Sequence, residues 1–365
     1  MKRIRQVSTL YFSIIITLLL FGNTSCKTTS NTRKPVSVVK MTKKSTIGKE
    51  VLITIKVLPK GGQIEKASLY VNNTKVKDLE SFECSEILPK ELLRIGKNSI
   101  KVEALKDNGQ TGTTRRELIL FASKAPEKLG YRVVGSYPHS PEHFTEGLEF
   151  NNGLLYESTG ENGTSVIYKT KFQRGEIVSA TALNKEFFGE GITLLDGKVY
   201  QLTYKKQKAF VYDNTTMAQI GNFSFPNKEG WGLTNNGKEL IMSDGSSTIY
   251  FVDPSTFKEV RRVNVFSNQR EYTYLNELEY VNGYIYANIW TTEDIVKIDS
   301  KTGEVVAIIS LTGLSSSAQM KSKKAIDVMN GIAYNPKDSM LYVTGKYWPL
   351  LYKIELTKED LPVKP

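Results

Sequence analysis

Five side chains able to do chemistry stand at one position of a phrase that recurs along the sequence. The phrase reads Glu146-Gly147-Leu148, Glu190-Gly191-Ile192, Trp231-Gly232-Leu233, Asn276-Glu277-Leu278 and Asn330-Gly331-Ile332. Its leading residues are two carboxylates, two carboxamides and an indole. Carboxylates move protons when their surroundings tune them, and carboxamides both donate and accept hydrogen bonds. The glycines and aliphatics repeat while these five types do not. A structural device would tend to repeat one residue, so the variation points to a shared site. The plainer alternative is a ring of polar groups that holds only water or a structural ion. Aromatic neighbours favour a site. Phe144 and Phe188 stand two residues before Glu146 and Glu190. Tyr204 and Trp290 end the second strands of copies two and four, and Lys346 with Trp348 occupies that place in copy five. Together they would make an apolar-walled cup with polar groups at its base, the usual form of a small-molecule site.

The elements that must position these residues are themselves periodic. The middle residues of the phrase, at 147, 191, 232, 277 and 331, are 44, 41, 45 and 54 apart. A period in the forties with strand-like content marks a propeller or array. Each phrase is followed by a turn: Asn152-Gly153, Asp196-Gly197, Asn236-Gly237, Asn282-Gly283 or Pro336-Lys337-Asp338. Asn-Gly and Asp-Gly between apolar-alternating runs are strong hairpin signals. Second, third and fourth strand patterns follow, and four strands make one blade. The expectation is an all-β chain with a five-bladed β-propeller over 131–365, in which Tyr131-Arg132-Val133-Val134 closes the fifth blade from outside. The phrase would lie on each innermost strand, so its leading residues would converge. An insert at 312–329, rich in Ser and Lys, reads as a loop on the functional face.

Upstream, about seven short strand patterns over 36–123 argue for a small immunoglobulin-like β-sandwich. It carries no evident chemistry, and a spacer or interaction role is its default. Residues 124–130 read as a linker and 26–35 as a polar tether. Residues 1–25 join a basic start (Lys2, Arg3, Arg5) to an apolar run too short for a typical spanning helix, ending before Cys26. This resembles a bacterial lipoprotein signal with Cys26 as the acylated residue. Cys84, the other cysteine, reads as a small buried hydrophobe. The net charge of +11 belongs to the front of the chain: three charges in the leader and +10 over 26–124 leave −2 for the rest. That basic segment could face anionic headgroups. Nucleic-acid binding is not expected, because the charge is dispersed.

Other chemistries can be set aside. The chain has two histidines, His139 and His143, so a three-histidine zinc site is impossible. Both read as loop or surface residues. No GxSxG, Walker or dinucleotide fingerprint occurs in a fitting context.

Over about 131–356 the sequence resembles the plant-latex and bacterial type of glutaminyl-peptide cyclotransferase. The motifs are Phe144-Thr145-Glu146-Gly147-Leu148, Phe188-Gly189-Glu190-Gly191-Ile192-Thr193, Glu229-Gly230-Trp231-Gly232-Leu233, Leu275-Asn276-Glu277-Leu278-Glu279 and Thr344-Gly345-Lys346-Tyr347-Trp348-Pro349. The resemblance implies a five-bladed propeller that converts N-terminal glutamine to pyroglutamate and releases ammonia, unrelated to the zinc-dependent animal type. It implies that Glu190 is the catalytic glutamate and that Trp231, Trp290, Asn276, Lys346, Phe144 and Phe188 line the pocket. Glu146 stands where the family pattern has Gln, and Tyr204 where it has Trp. A second acid near Glu190 would raise its pKa by like-charge repulsion.

On this reading Glu190 shuttles the proton, and Lys346 with Asn276 or the Trp231 indole N–H stabilises the oxyanion. No cofactor is expected for catalysis, no metal ligand is assigned, and a structural divalent cation in the channel is allowed. The expected partners are peptides or proteins beginning with glutamine, and a membrane through Cys26. The expected form is a monomer in a bacterial cell envelope, periplasm-facing or outer-membrane associated. Two other readings are a non-catalytic propeller that binds a peptide or small ligand, and an envelope protein in which the sandwich does the work.

Overall fold

A computed structural model describes residues 33–358. The leader at 1–25, Cys26 and the tether up to residue 32 lie outside the described residues. Among those described, no helix is long and apolar enough to cross a membrane. The fold is all-β, a sandwich followed by a five-bladed propeller.

The sandwich contains eight strands. Val36–Met41, Leu52–Leu58 and Glu83–Ile87 form one sheet. The second has the order Lys44–Thr46, Thr111–Phe121, Gly96–Lys106, Ile64–Val71, Thr74–Asp78. Strict alternation along Leu52–Leu58 sends Ile53, Ile55 and Val57 inward, where they meet Leu69, Ile100 and Leu118. Cys84 packs against this core but is only half-buried.

Each blade is an antiparallel sheet of four strands. The innermost are Thr145–Asn151, Gly189–Leu195, Leu233–Asn235, Leu275–Val281 and Met329–Asn335. They pack in cyclic order, the fifth against the first, and so close the ring. Three of the expected turns, Asn152-Gly153, Asp196-Gly197 and Asn282-Gly283, have positive φ at both residues. That is the type I′ geometry whose twist matches a hairpin.

Glu127–Pro138 supplies the outer strand of blade five, antiparallel to Leu350–Lys358. Its first residues also pair in parallel with Val305–Ser310 of blade four, Ala307 opposite Glu127. The stretch expected as linker, 124–130, is therefore strand from Glu127 onward. The edge of blade four offers unpaired backbone groups, and this segment takes them. The sandwich is seated on the propeller by Phe121 edge-on to Phe266 at 5.9 Å, with Ile95 and Ala122 beside them. The Ala122 N–H donates to the Ser267 carbonyl at 3.1 Å, and Lys97 pairs with Glu271 at 2.9 Å.

The glycines of the phrase are fixed by close approach. A Cβ on Gly147 would lie 2.5 Å from Ile192 N, one on Gly191 2.3 Å from Leu233 N, and one on Gly232 2.1 Å from Asn276 O. Neighbouring inner strands touch backbone to backbone at this level. Copy four has Glu277 instead of glycine. Its buried carboxylate accepts hydrogen bonds from Leu148 N–H (3.1 Å) and Ile332 N–H (2.8 Å), joining blades one, four and five.

Candidate active site

The strand register breaks where the polar residues of the phrase stand. Pairing shifts between Thr145 and Gly147, Gly189 and Ile192, Leu275 and Leu278, and Met329 and Ile332. Each shift is a β-bulge, which frees one residue from the ladder and turns its side chain. Glu146, Glu190, Asn276 and Asn330 all fall inside these bulges and all are buried. Trp231 lies just before its short inner strand. Its carbonyl accepts from Gly191 N–H at 2.8 Å, which ties blade three to the Glu190 bulge.

Glu190 is 5% exposed. Among the described residues no protein group hydrogen-bonds its carboxylate, so burial is uncompensated. Burial first, and then the negative charge of Glu146, push its pKa well above the usual carboxylate range, against the pull of Lys346. Glu146 is held from two sides. Lys346 Nζ donates to Oε1 at 2.7 Å and Asn330 Nδ2 to Oε2 at 3.0 Å. Burial raises Glu146 to about 7, with Lys346 opposing. The ammonium of Lys346 also lies 4.2 Å from the centre of the Phe144 ring. Asn276 Oδ1 and Asn330 Oδ1 are buried without a hydrogen-bond partner. Unsatisfied acceptors are rare inside proteins, and two at the same position of the repeated phrase suit a site that waits for a polar substrate.

Aromatic rings wall this space. Phe144 and Phe188 meet edge to face at 6.0 Å, and Phe188 meets Tyr204 at 5.7 Å. Trp231 and Trp290 meet at 5.8 Å on the other side. Trp290 is 40% exposed and stands at the rim against Tyr274. Gly160 leaves room for the Phe pair, since a Cβ there would lie 2.5 Å from Phe188. A cavity of about 530 Å³ lined by Gly160, Glu161 and Tyr347 shares the Phe144 wall. Glu190 does not line it.

Three expectations change. The Trp231 indole N–H donates to Glu229 Oε2 at 3.0 Å. It is spent there, so Trp231 offers the space its ring and not its N–H. Trp348 is fully buried and donates to the Asp327 carbonyl at 2.9 Å. Tyr347 faces Phe144 in its place, at 5.2 Å. The tight turn after Gly345, with Tyr347 at φ 63°, breaks the alternation that a regular strand would keep. The histidines do stand in the loop between Glu127–Pro138 and Thr145–Asn151, but not at the surface, since both side chains are buried around the Glu157 carboxylate.

The 312–329 insert reaches the site through its end. It holds a helix, Leu314–Lys321, and then pairs with the Lys346 turn: Lys346 N–H donates to the Val328 carbonyl at 3.0 Å, and Asp327 N–H to the Lys346 carbonyl at 2.9 Å. Sequence reasoning named Asn330 in the phrase but did not carry it into the site. It missed Glu229, Tyr274 and Tyr347 outright. For Glu229 the signal was available, two residues before Trp231 and parallel to Phe144 and Phe188. Tyr274 and Tyr347 sit at positive φ, which no pattern in the chain announces.

Comparison with known proteins follows the same region. A model of the glutamine cyclotransferase family matches residues 105–356. A glutaminyl-peptide cyclotransferase from Arabidopsis thaliana is 40% identical over 225 residues, 61% of this chain and 70% of that protein. The crystal structure of Myxococcus xanthus glutaminyl cyclase superimposes with a TM-score of 0.60 at 32% identity, covering 64% of this chain and 100% of that one.

Proposed function

The chain belongs to the glutamine cyclotransferase family, and from that premise we propose that it is a glutaminyl-peptide cyclotransferase. It joins the α-nitrogen of an N-terminal glutamine to the δ-carbon of the same residue and releases ammonia. The observation that carries this reading is Glu190: a buried carboxylate in an aromatic cup, without a hydrogen-bond partner among the described residues, and with a raised pKa. A base of ordinary acidity would keep little affinity for the proton it takes. With its pKa raised, Glu190 can accept the proton of the attacking amine and return it to the departing nitrogen. Free α-amino groups have pKa values of about 7.7–8.0, so the driving force needed is modest.

The carboxamide oxygen gains negative charge as the ring closes. The Lys346 ammonium, held by Glu146 and buried, stabilises that charge without reorganising. The open acceptor Asn276 Oδ1 takes an N–H of the substrate. Phe144, Phe188, Tyr204, Trp231 and Trp290 hold the side chain folded toward the five-membered ring and exclude water. Exchange of Glu190 for Gln should abolish ammonia release from Gln-initiated dipeptides while the circular dichroism spectrum stays unchanged. Turnover close to wild type would remove Glu190 from the mechanism, and an inactive wild type would favour a binding propeller.

The basic start, apolar run and Cys26 support export with acylation at Cys26. The enzyme would then act as a monomer, lipid-anchored in a bacterial envelope, on peptides with N-terminal glutamine. Exchange of Cys26 for Ala should move the protein from the membrane fraction to the soluble one, and continued membrane association would argue against acylation there. A structural divalent cation in the channel would be held by Glu149 and Glu279. Both are hard-oxygen donors, Glu279 buried and Glu149 half-buried, and the charge of Glu149 acts on Glu279. No catalytic step passes through it.

A further inference from the structure

Behind the cup lies a buried knot of charge that the mechanism above does not use. Glu157, 3% exposed on the second strand of blade one, accepts three hydrogen bonds. They come from His139 Nε2 (3.0 Å) and Thr145 Oγ1 (2.7 Å) on Oε1, and from His143 Nδ1 (2.8 Å) on Oε2. His139 Nδ1 lies 2.6 Å from the Trp348 carbonyl. A carbonyl only accepts, so Nδ1 carries a proton. Nε2 faces a carboxylate oxygen that already accepts from Thr145, so Nε2 carries one too. The ring is therefore an imidazolium.

Each arm of the knot ends next to a residue of the cup. Thr145 precedes Glu146. His139 grips the carbonyl of Trp348, two residues after Lys346. The His143 carbonyl accepts from Tyr347 N–H at 2.7 Å, and Phe144 follows His143. One carboxylate thus reaches both partners of the Glu146–Lys346 ion pair, which come from strands 200 residues apart.

We propose that Glu157, with His139 held against it as imidazolium, is a positioning residue that sets the Glu146–Lys346 pair for catalysis. This rests on the cyclotransferase reading. The charges agree with the geometry. Burial disfavours the charge of each partner, and their mutual attraction and hydrogen bonds outweigh it. Glu157 is held well below the usual carboxylate range and His139 is raised above 6.5. The other titratable groups facing the knot are His143 and Tyr168, whose rings stack at 4.1 Å. Tyr168 is raised by burial and then by the Glu157 charge, so it stays neutral near pH 7. For a base with a raised folded pKa, the contribution is complete below its unfolded value and is lost as pH rises through the folded one.

These three side chains are also the one described group with metal-ligand spacing, their donor atoms all within 4.8 Å. The proton on Nδ1 would leave Nε2 of a neutral His139 free for a metal, so the experiment must separate proton from metal. The chain has two histidines, and a ¹⁵N-histidine sample therefore shows two ring systems. His139→Gln assigns them. In the purified wild-type protein, one ring should be doubly protonated at pH 7 and titrate with a midpoint above that pH. The kcat of the wild type should fall on its alkaline side with that same midpoint. Glu157→Gln should keep the fold, leave KM within about twofold, lower kcat at pH 7 by about tenfold or more, and shift the ring titration downward. A singly protonated ring at pH 7, zinc ligation of Nε2, or an alkaline limb unmoved by Glu157→Gln would each overturn the proposal. Ring protonation is read without substrate, so an inactive wild type counts against glutamine cyclisation and leaves this test standing.

Discussion

At the scale of single residues, the site is a contest between burial and charge around Glu190. Glu146 adds a second negative charge nearby but is itself tied to Lys346. Replacing Glu146 with Gln removes the repulsion and releases the ammonium, and both changes favour ionised Glu190. A base works only when ionised, so the acidic limb of kcat should move to lower pH in Glu146→Gln. The check is a pH–rate profile with a Gln-initiated dipeptide; a limb that stays or moves upward would mean that Glu146 does not tune Glu190. The residue types were legible early, because five different polar residues at one repeat position invite a functional reading. What each polar atom bonds was not legible. The indole N–H of Trp231 goes to Glu229 and the carboxamide of Asn330 to Glu146, choices made by neighbours up to 184 residues away.

At the scale of elements, the inner strands do two jobs with adjacent residues. The glycine lets the next blade approach to backbone contact, and the bulge beside it turns the polar side chain. Gly191→Ala would put a Cβ 2.3 Å from Leu233 N, an atom that cannot rotate away. The expected loss is about 1–3 kcal/mol or more, measured by denaturant unfolding. Gly221→Ala, on the outer strand of blade two where a Cβ meets nothing within 4 Å, should stay within about 0.5 kcal/mol. Equal effects would refute close approach as the reason for the glycine. The turns were readable from Asn-Gly and Asp-Gly because positive φ is a local demand. The bulges were not, because an extra residue in a ladder is defined only against the partner strand.

At the scale of the whole molecule, the ring concentrates buried carboxylates along its axis. Burial raises Glu149 to about 8 and Glu277 and Glu279 well above 4.5. The unfolded chain releases these protons near 4.5 while the folded one keeps them. Above that pH the native state binds more protons, so stability falls as pH rises toward 8. The melting temperature should be lower at pH 8.5 than at pH 6, and Ca²⁺ should raise it more at pH 8.5, where the carboxylates are most in need of a counter-charge. A melting temperature that climbs across this interval would contradict the burial of these groups.

The period, the hairpin turns, the glycine positions and the five variable residues were all present in the amino-acid order. Each is a local or repeating demand, and the repeat multiplies the signal fivefold. The tertiary structure alone decided the rest. It fused the expected linker to blade four, buried Trp348 while turning Tyr347 to the cup, and drew both histidines onto Glu157. Each depends on where another strand's unpaired group, charge or empty volume lies. Such partners are set by closure of the ring, which no single stretch of the chain contains.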